Sequence, residues 1–120
     1  MIIPDNVEHL GERWFANSNI ESVTIPASVK CIDTCAFYKC KNLKRITFAE
    51  GSQLAIIGRQ CFYESGIEEF QSPQSLREIG DGAFSSCKSL ESVILNEGLE
   101  RLGKLQSEDN RYHGGVFENT

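Results

Sequence analysis

The sequence predicts a repeat solenoid, mainly β, built from coils of chain stacked on one another. Three observations lead there. The phrase Ile-Gly-x-x-x-Phe, or a close relative of it, occupies residues 32–37, 57–62 and 79–84, with a worn copy at 10–15. Its phenylalanines fall at 15, 37, 62 and 84, and steps of 22, 25 and 22 residues mark a stacked-repeat architecture. β-branched residues fill the phrases between, and no segment keeps a 3.6-residue apolar period over ten or more residues, so long helices are not expected.

Each unit opens with a strand-like apolar triplet: Ile20, Val23 and Ile25; Leu43, Ile46 and Phe48; Ile67, Phe70 and Ser72; Leu90, Val93 and Leu95. The last two members alternate with polar residues, as a half-buried strand requires. A turn follows, then an apolar pair: Val29 with Ile32, Leu54 with Ile57, Leu76 with Ile79, Leu99 with Leu102. Pro26 and Pro73 end strands, where a missing N–H costs least. Gly58, Gly80 and Gly103 come just after the apolar pair, where a tight corner or a positive φ is expected, and Asp33 stands there in one copy. The segment before each Phe is expected to form a single helical or 3₁₀ turn. A small residue follows three positions after it: Ser18, Cys40, Ser65 or Cys87. One unit cannot bury its apolar side alone. Stacking aligns equivalent residues into inward ladders, with strands ~4.8 Å apart in a parallel sheet.

The 120 residues, 40% of them hydrophobic, are read as one domain, 1–120, of about five stacked units. The phrase 1–4 lines up with 23–26, and 115–120 lines up with the phenylalanine segments, so the chain reads as part of a longer array. Residues 104–114 interrupt the last unit: Gly80 reaches Phe84 in four steps, whereas Gly103 reaches Phe117 in fourteen. A net charge of −5 disfavours nucleic-acid partners and anionic membranes, and no apolar run approaches the ~20 residues that span a bilayer. No secretory signal is visible.

The unit resembles the BspA-like leucine-rich repeat family. Residues 32–43 and 79–90 follow its pattern, Ile-Gly-x-x-Ala-Phe-x-x-Cys-x-x-Leu, and Ser28-Val29 and Ser75-Leu76 are typical of it. The resemblance implies a right-handed leucine-rich-repeat stack with a parallel β-sheet. It also implies an extracellular or cell-surface location and a role in adhesion or protein binding. It carries no catalytic residues. The chain departs from the pattern where Phe-x-x-Ser-x-Ile replaces Phe-x-x-Cys-x-x-Leu, at 15–20 and 62–67, so the repeat reads as a long–short pair.

Candidates for chemistry have plain alternatives. Cys40 and Cys87 share one repeat position two units apart, ~10 Å by strand spacing, which exceeds disulfide reach and points to buried reduced thiols. Cys31, Cys35 and Cys40 match no paired Cys-x-x-Cys metal set. His9 should face outward and His113 falls in the insertion, so the repeat forces neither near a cysteine as nucleophilic catalysis requires. Glu68 and Glu69 stand one rung from Lys44 and Arg45, where cross-strand ion pairs are expected.

Two places remain as candidate partner-binding sites. One is the outward sheet face, with columns Ser22, Arg45, Glu69, Ser92 and Thr24, Thr47, Gln71, Ile94; a solvated face is its other reading. Arg45, Glu69 and Gln71 are its candidates. The other is the insertion, with Arg111, Tyr112 and His113, read either as a binding loop or as surface decoration. The sequence thus points to a non-catalytic interaction or adhesion module with no cofactor or metal and with an extracellular or host protein as partner. Structural spacer repeats, and more remotely an enzyme built on the insertion, stay open. Val7, Leu10, Trp14 and Phe15 at one end, and Leu99, Leu102, Leu105 and Phe117 at the other, are expected to promote self-association if the ends are uncapped.

Overall fold

The structure, a computed structural model, describes residues 2–103. Among the described residues, nine short strands alternate between two faces of a parallel solenoid: β1 (His9–Leu10), β2 (Ser22–Ile25), β3 (Cys31–Ile32), β4 (Arg45–Phe48), β5 (Ile56–Ile57), β6 (Glu69–Gln71), β7 (Glu78–Ile79), β8 (Ser92–Ile94) and β9 (Arg101–Leu102). The odd-numbered strands form one continuous parallel sheet in the order β1, β3, β5, β7, β9. It places Leu10, Ile32, Ile57, Ile79 and Leu102 in one column. The even-numbered strands carry the apolar triplets and form two ladders, β2 with β4 and β6 with β8. The sequence does not predict the five-stranded sheet, because each of its strands is only two residues long.

Ladders of like residues fill the interior. Phe37, Phe62 and Phe84 are fully buried. Phe15, Phe37, Phe62 and Phe84 stack with successive ring centroids 5.2, 5.5 and 5.3 Å apart and planes within 15° of parallel. Each buried phenylalanine contributes about 1.5–3 kcal/mol. Leu10 is buried at one end of the stack, Val7 and Phe15 are half-buried, and Trp14 is 58% exposed. At the other end Leu99 is half-buried and Leu102 exposed, while Leu105 and Phe117 lie outside the described residues.

No helix occurs among the described residues. The segments around each Phe are chains of tight turns: Ala36 N–H donates to the Asp33 carbonyl and Cys40 N–H to that of Phe37, each at 3.2 Å. The third residue of each such turn has positive φ, as in Cys35 (58°) and Lys39 (56°). The same pair recurs at Arg13 and Asn17, Gln60 and Glu64, and Gly82 and Ser86. A left-handed residue at every fourth position stops a right-handed turn from propagating, which is why neither an α- nor a 3₁₀-helix forms. Holding a non-glycine residue there costs about 1–2 kcal/mol.

Hydrogen bonds between coils offset that cost. Phe15 N–H donates to the Ala36 carbonyl of the next coil (2.8 Å), Phe37 N–H to Cys61 (2.9 Å) and Phe62 N–H to Ala83 (2.8 Å). Alternate residues on either side repeat the bond, as in Arg13 to Thr34 and Asn17 to Tyr38. In the sheet the direction reverses, with Gly58 N–H donating back to Ile32 (2.7 Å) and Gly80 N–H back to Ile57 (2.8 Å).

Gly58 and Gly80 therefore have a different reason from positive φ. Among glycines, positive φ falls on Gly51 (80°) and Gly82 (66°). A Cβ at Gly58 would lie 2.6 Å from the Thr34 backbone nitrogen, and one at Gly80 2.7 Å from that of Arg59. These glycines let one coil seat on the backbone of the coil before it. Asp33, at the equivalent place, turns its carboxylate onto the N–H of Thr34 (2.6 Å). Two neighbouring substitutions should act in opposite directions in urea melts. Gly58→Ala should lose about 1–3 kcal/mol by overpacking, and Gln60→Gly should gain about 0.5–1 kcal/mol by relieving the left-handed backbone. Equal effects of the two would contradict this assignment.

Candidate functional site

The outward sheet face has the expected register. Ser22 lies beside Arg45 and Thr24 beside Thr47, while Glu69 lies beside Ser92 and Gln71 beside Ile94. The hydroxyls of Thr24 and Thr47 share a 3.0 Å hydrogen bond. The ladder is open, however, between β4 and β6. Glu68 N–H reaches the Lys44 carbonyl at 3.2 Å where the two strands begin. Beyond that point Phe48 and Phe70 meet edge-on, centroids 6.0 Å apart at 89°. The break coincides with the 25-residue coil, two of whose three extra residues fall in the turn around Gly51.

A groove follows the break. Its wider part, about 500 Å³, is walled by Thr47, Phe48, Ala49, Gln71, Pro73 and Gln74. Its narrower part, about 260 Å³, is bounded by Lys44, Arg45, Glu68 and Glu69. Ile46, Thr47 and Gln71 border both. The fold thus brings Arg45, Glu69 and Gln71 to one groove with an apolar stretch beside a charged one. The expected ion pairs of Lys44 and Arg45 with Glu68 and Glu69 do not form, although the backbone bond from Glu68 to Lys44 keeps the first rung. Pairs do form elsewhere, His9 with Asp33 (3.2 Å) and Arg77 with Glu100 (3.6 Å). Arg111, Tyr112 and His113 lie outside the described residues.

A second surface was missed in the sequence. On the turn-bearing side, the rings of Tyr38 and Tyr63 stack at 5.0 Å and 12°. The Arg13 guanidinium and the Lys39 ammonium each lie 5.6 Å from the Tyr38 ring centroid. A signal was available: each tyrosine directly follows the phenylalanine of its phrase, so the period that stacks Phe37 on Phe62 also stacks the tyrosines.

The cysteines are structural. Cys40 Sγ donates to the Phe15 carbonyl and Cys87 Sγ to the Phe62 carbonyl, each at 3.0 Å and each across to the preceding coil. In the short units Ser18 and Ser65 hold the same position and instead accept the N–H of Ile20 (3.2 Å) and Ile67 (3.5 Å). Serine closes the short turn; cysteine ties the long turn to its neighbour. His9 faces outward, as expected, and its Nε2 meets the Asp33 carboxylate. No cluster of three or more His, Cys, Asp or Glu residues is arranged to hold a metal among the described residues.

Residues 8–106 match the family described as the BspA type leucine rich repeat region (6 copies), and the chain belongs to that family. No curated protein matches it. Among solved structures it is similar to the pneumococcal vaccine antigen PcpA, with a TM-score of 0.73 and 26% identity over 82% of this chain and 32% of that one. It also resembles a leucine-rich repeat protein from Bacteroides ovatus, with a TM-score of 0.56 and 16% identity over 92% of this chain and 41% of the other. A leucine rich cell surface protein from Faecalibacterium prausnitzii gives a TM-score of 0.54 and 24% identity over 95% and 42%. The last two likenesses bear on the fold alone. The chain spans between about a third and about two-fifths of the length of these structures.

Burial of the thiols has a consequence in alkali. All five are pushed up, burial being the first cause at each, and Cys61 is pushed farthest. The folded chain therefore keeps protons that the unfolded chain releases near pH ~8.5. The contribution is complete below that pH and declines above it. The urea midpoint should fall as pH rises above about 8.5, and the triple variant Cys40→Ser, Cys61→Ala, Cys87→Ser should flatten the fall. Parallel profiles for the two proteins would contradict it.

Proposed function

We propose that this BspA type leucine-rich repeat chain is a non-catalytic protein-interaction module of a cell-surface repeat protein, acting in adhesion to an extracellular or host protein. The observation that carries the reading is the opened strand ladder. A closed parallel sheet presents a flat, solvated face. Here the break between β4 and β6 provides a groove with Phe48 and Pro73 at one part and Arg45 and Glu69 at the other. Apolar contact beside charged and amide groups suits a peptide strand or loop of another protein: apolar burial gives affinity, and charge sets orientation. The PcpA structure, 26% identical, is named as a vaccine antigen, which supports a surface setting for this chain.

The test uses the immobilised 120-residue chain and a panel of purified extracellular-matrix and epithelial surface proteins. The proposal expects saturable binding to at least one, weakened about tenfold, or about 1.4 kcal/mol, by Arg45→Glu with Gln71→Ala at unchanged melting temperature. Both side chains are exposed, so the fold should tolerate the change. Binding to none of the panel would favour spacer repeats. Binding unaffected by the pair would remove the groove.

A further inference from the structure

We infer a second docking surface, on the turn-bearing side, that takes an acidic segment of a protein partner: carboxylates enter a lysine-flanked notch while the rest of the segment covers Tyr38 and Tyr63. The inference rests on the protein-interaction reading but uses a different face.

The notch arises from the long–short alternation of the repeat. In the long units, Lys41 and Lys88 follow Cys40 and Cys87 and are exposed. In the short unit between them, Gly66 takes that place. A Cβ on Gly66 would overlap the carbonyl oxygen of Lys41, so this coil draws in against its neighbour where any side chain would hold it off. The recess left behind is about 380 Å³, with Lys41, Lys88 and the hydroxyl residues Ser86 and Ser89 on its walls. Two ammonium groups and hydroxyl donors around a recess of this size suit carboxylate side chains through charge-assisted hydrogen bonds.

Tyr63 belongs to the turn that supplies Glu64 and Ser65 to the recess, and Tyr38 to the equivalent turn of the coil before. Tyr63 is three residues from Gly66, and Tyr38 is three residues from Lys41. Both are half-buried, so part of each residue remains on the surface. Rings already held by stacking lose little entropy on binding, and Arg13 and Lys39 over Tyr38 add cations to the same patch. Tyrosine and arginine are the residue types that carry interface energy, and the outward sheet face has no aromatic ring in its columns.

Charge selects among occupants. The chain has a net charge of −5, so an acidic partner is repelled by most of the surface and drawn to this patch. A polyanion such as a sulfated glycan fits less well, because Glu64 also lines the notch and interrupts any continuous cationic track. A peptide with separate carboxylates and apolar side chains between them meets the lysines and spares Glu64.

The experiment is selection of a random 12-residue peptide library on the full 120-residue chain, followed by fluorescence anisotropy of the selected peptides at physiological salt. The inference expects enrichment of Asp and Glu together with apolar or aromatic residues. Affinity should fall at least tenfold in Lys41→Glu with Lys88→Glu, and likewise in Tyr63→Ala; it should be unchanged in Arg45→Glu, which reports on the sheet groove. The lysines are exposed, so their variant keeps the fold even if Tyr63→Ala does not. Selection of peptides without acidic residues would overturn the inference. So would acidic peptides that bind the lysine variant as well as the parent, or heparin that displaces them and binds more tightly.

Discussion

Everything in this molecule depends on vertical register: each coil must place its backbone over the same point of the coil before it. Only glycine fits at 58 and 80, because the backbone beneath passes too close to admit a Cβ. The left-handed residues recur at the same step in four successive turns, so that alternate N–H groups face the carbonyls of the next coil. The stacked phenylalanine rings inherit that register. It survives a change in coil length. The 25-residue coil lets most of its surplus out at a surface turn, where Gly51 takes a positive φ with open space where a Cβ would lie, and the Phe37–Phe62 centroid spacing stays at 5.5 Å. The cost appears on the outer face, where β4 and β6 part.

Much of the architecture was legible because a fixed period turns a one-dimensional pattern into stacked columns. Phe37, Phe62 and Phe84 could be placed in one buried column from their spacing alone. The register of Ser22 with Arg45 and of Glu69 with Ser92 followed in the same way. What the period could not convey was local backbone conformation. Arg13, Asn17, Cys35, Lys39, Gln60, Glu64 and Ser86 share positive φ, yet no rule of residue preference singles them out. Their conformation is imposed by bonds to a neighbouring coil, a tertiary effect invisible in a window of sequence. Glycine, the usual marker of such geometry, takes only one of these recurring positions, at Gly82, while Gly58 and Gly80 stand where space is short. Two-residue strands are also too brief to show alternation, so the five-stranded sheet left no signature of its own.

The candidate sites show the same division. Arg45, Glu69 and Gln71 were expected on one face, and they are found there, but the groove that gathers them comes from a break in the ladder that spacing did not reveal. The tyrosine pair was written in the repeat and overlooked, since attention to the outward sheet passed over the turns. The alternation of serine and cysteine likewise makes sense only in three dimensions. Serine bonds within its own short turn, whereas the longer cysteine reaches the carbonyl of the coil before it. The single residue that separates long from short units sets both this bonding and the recess beside Gly66. Small departures from perfect repetition thus shape the surface, while the repeated positions hold the core.

The most direct test of coil-on-coil stacking is a double-mutant cycle on Phe37→Leu and Phe62→Leu, with stability measured by urea denaturation. Stacked rings should couple by about 0.5–1.5 kcal/mol. The control pair Phe15→Leu and Phe84→Leu, separated by two intervening rings, should be additive within about 0.5 kcal/mol. Strict additivity of Phe37 and Phe62 would show that the rings do not share a column, and the account of the fold would fall with it.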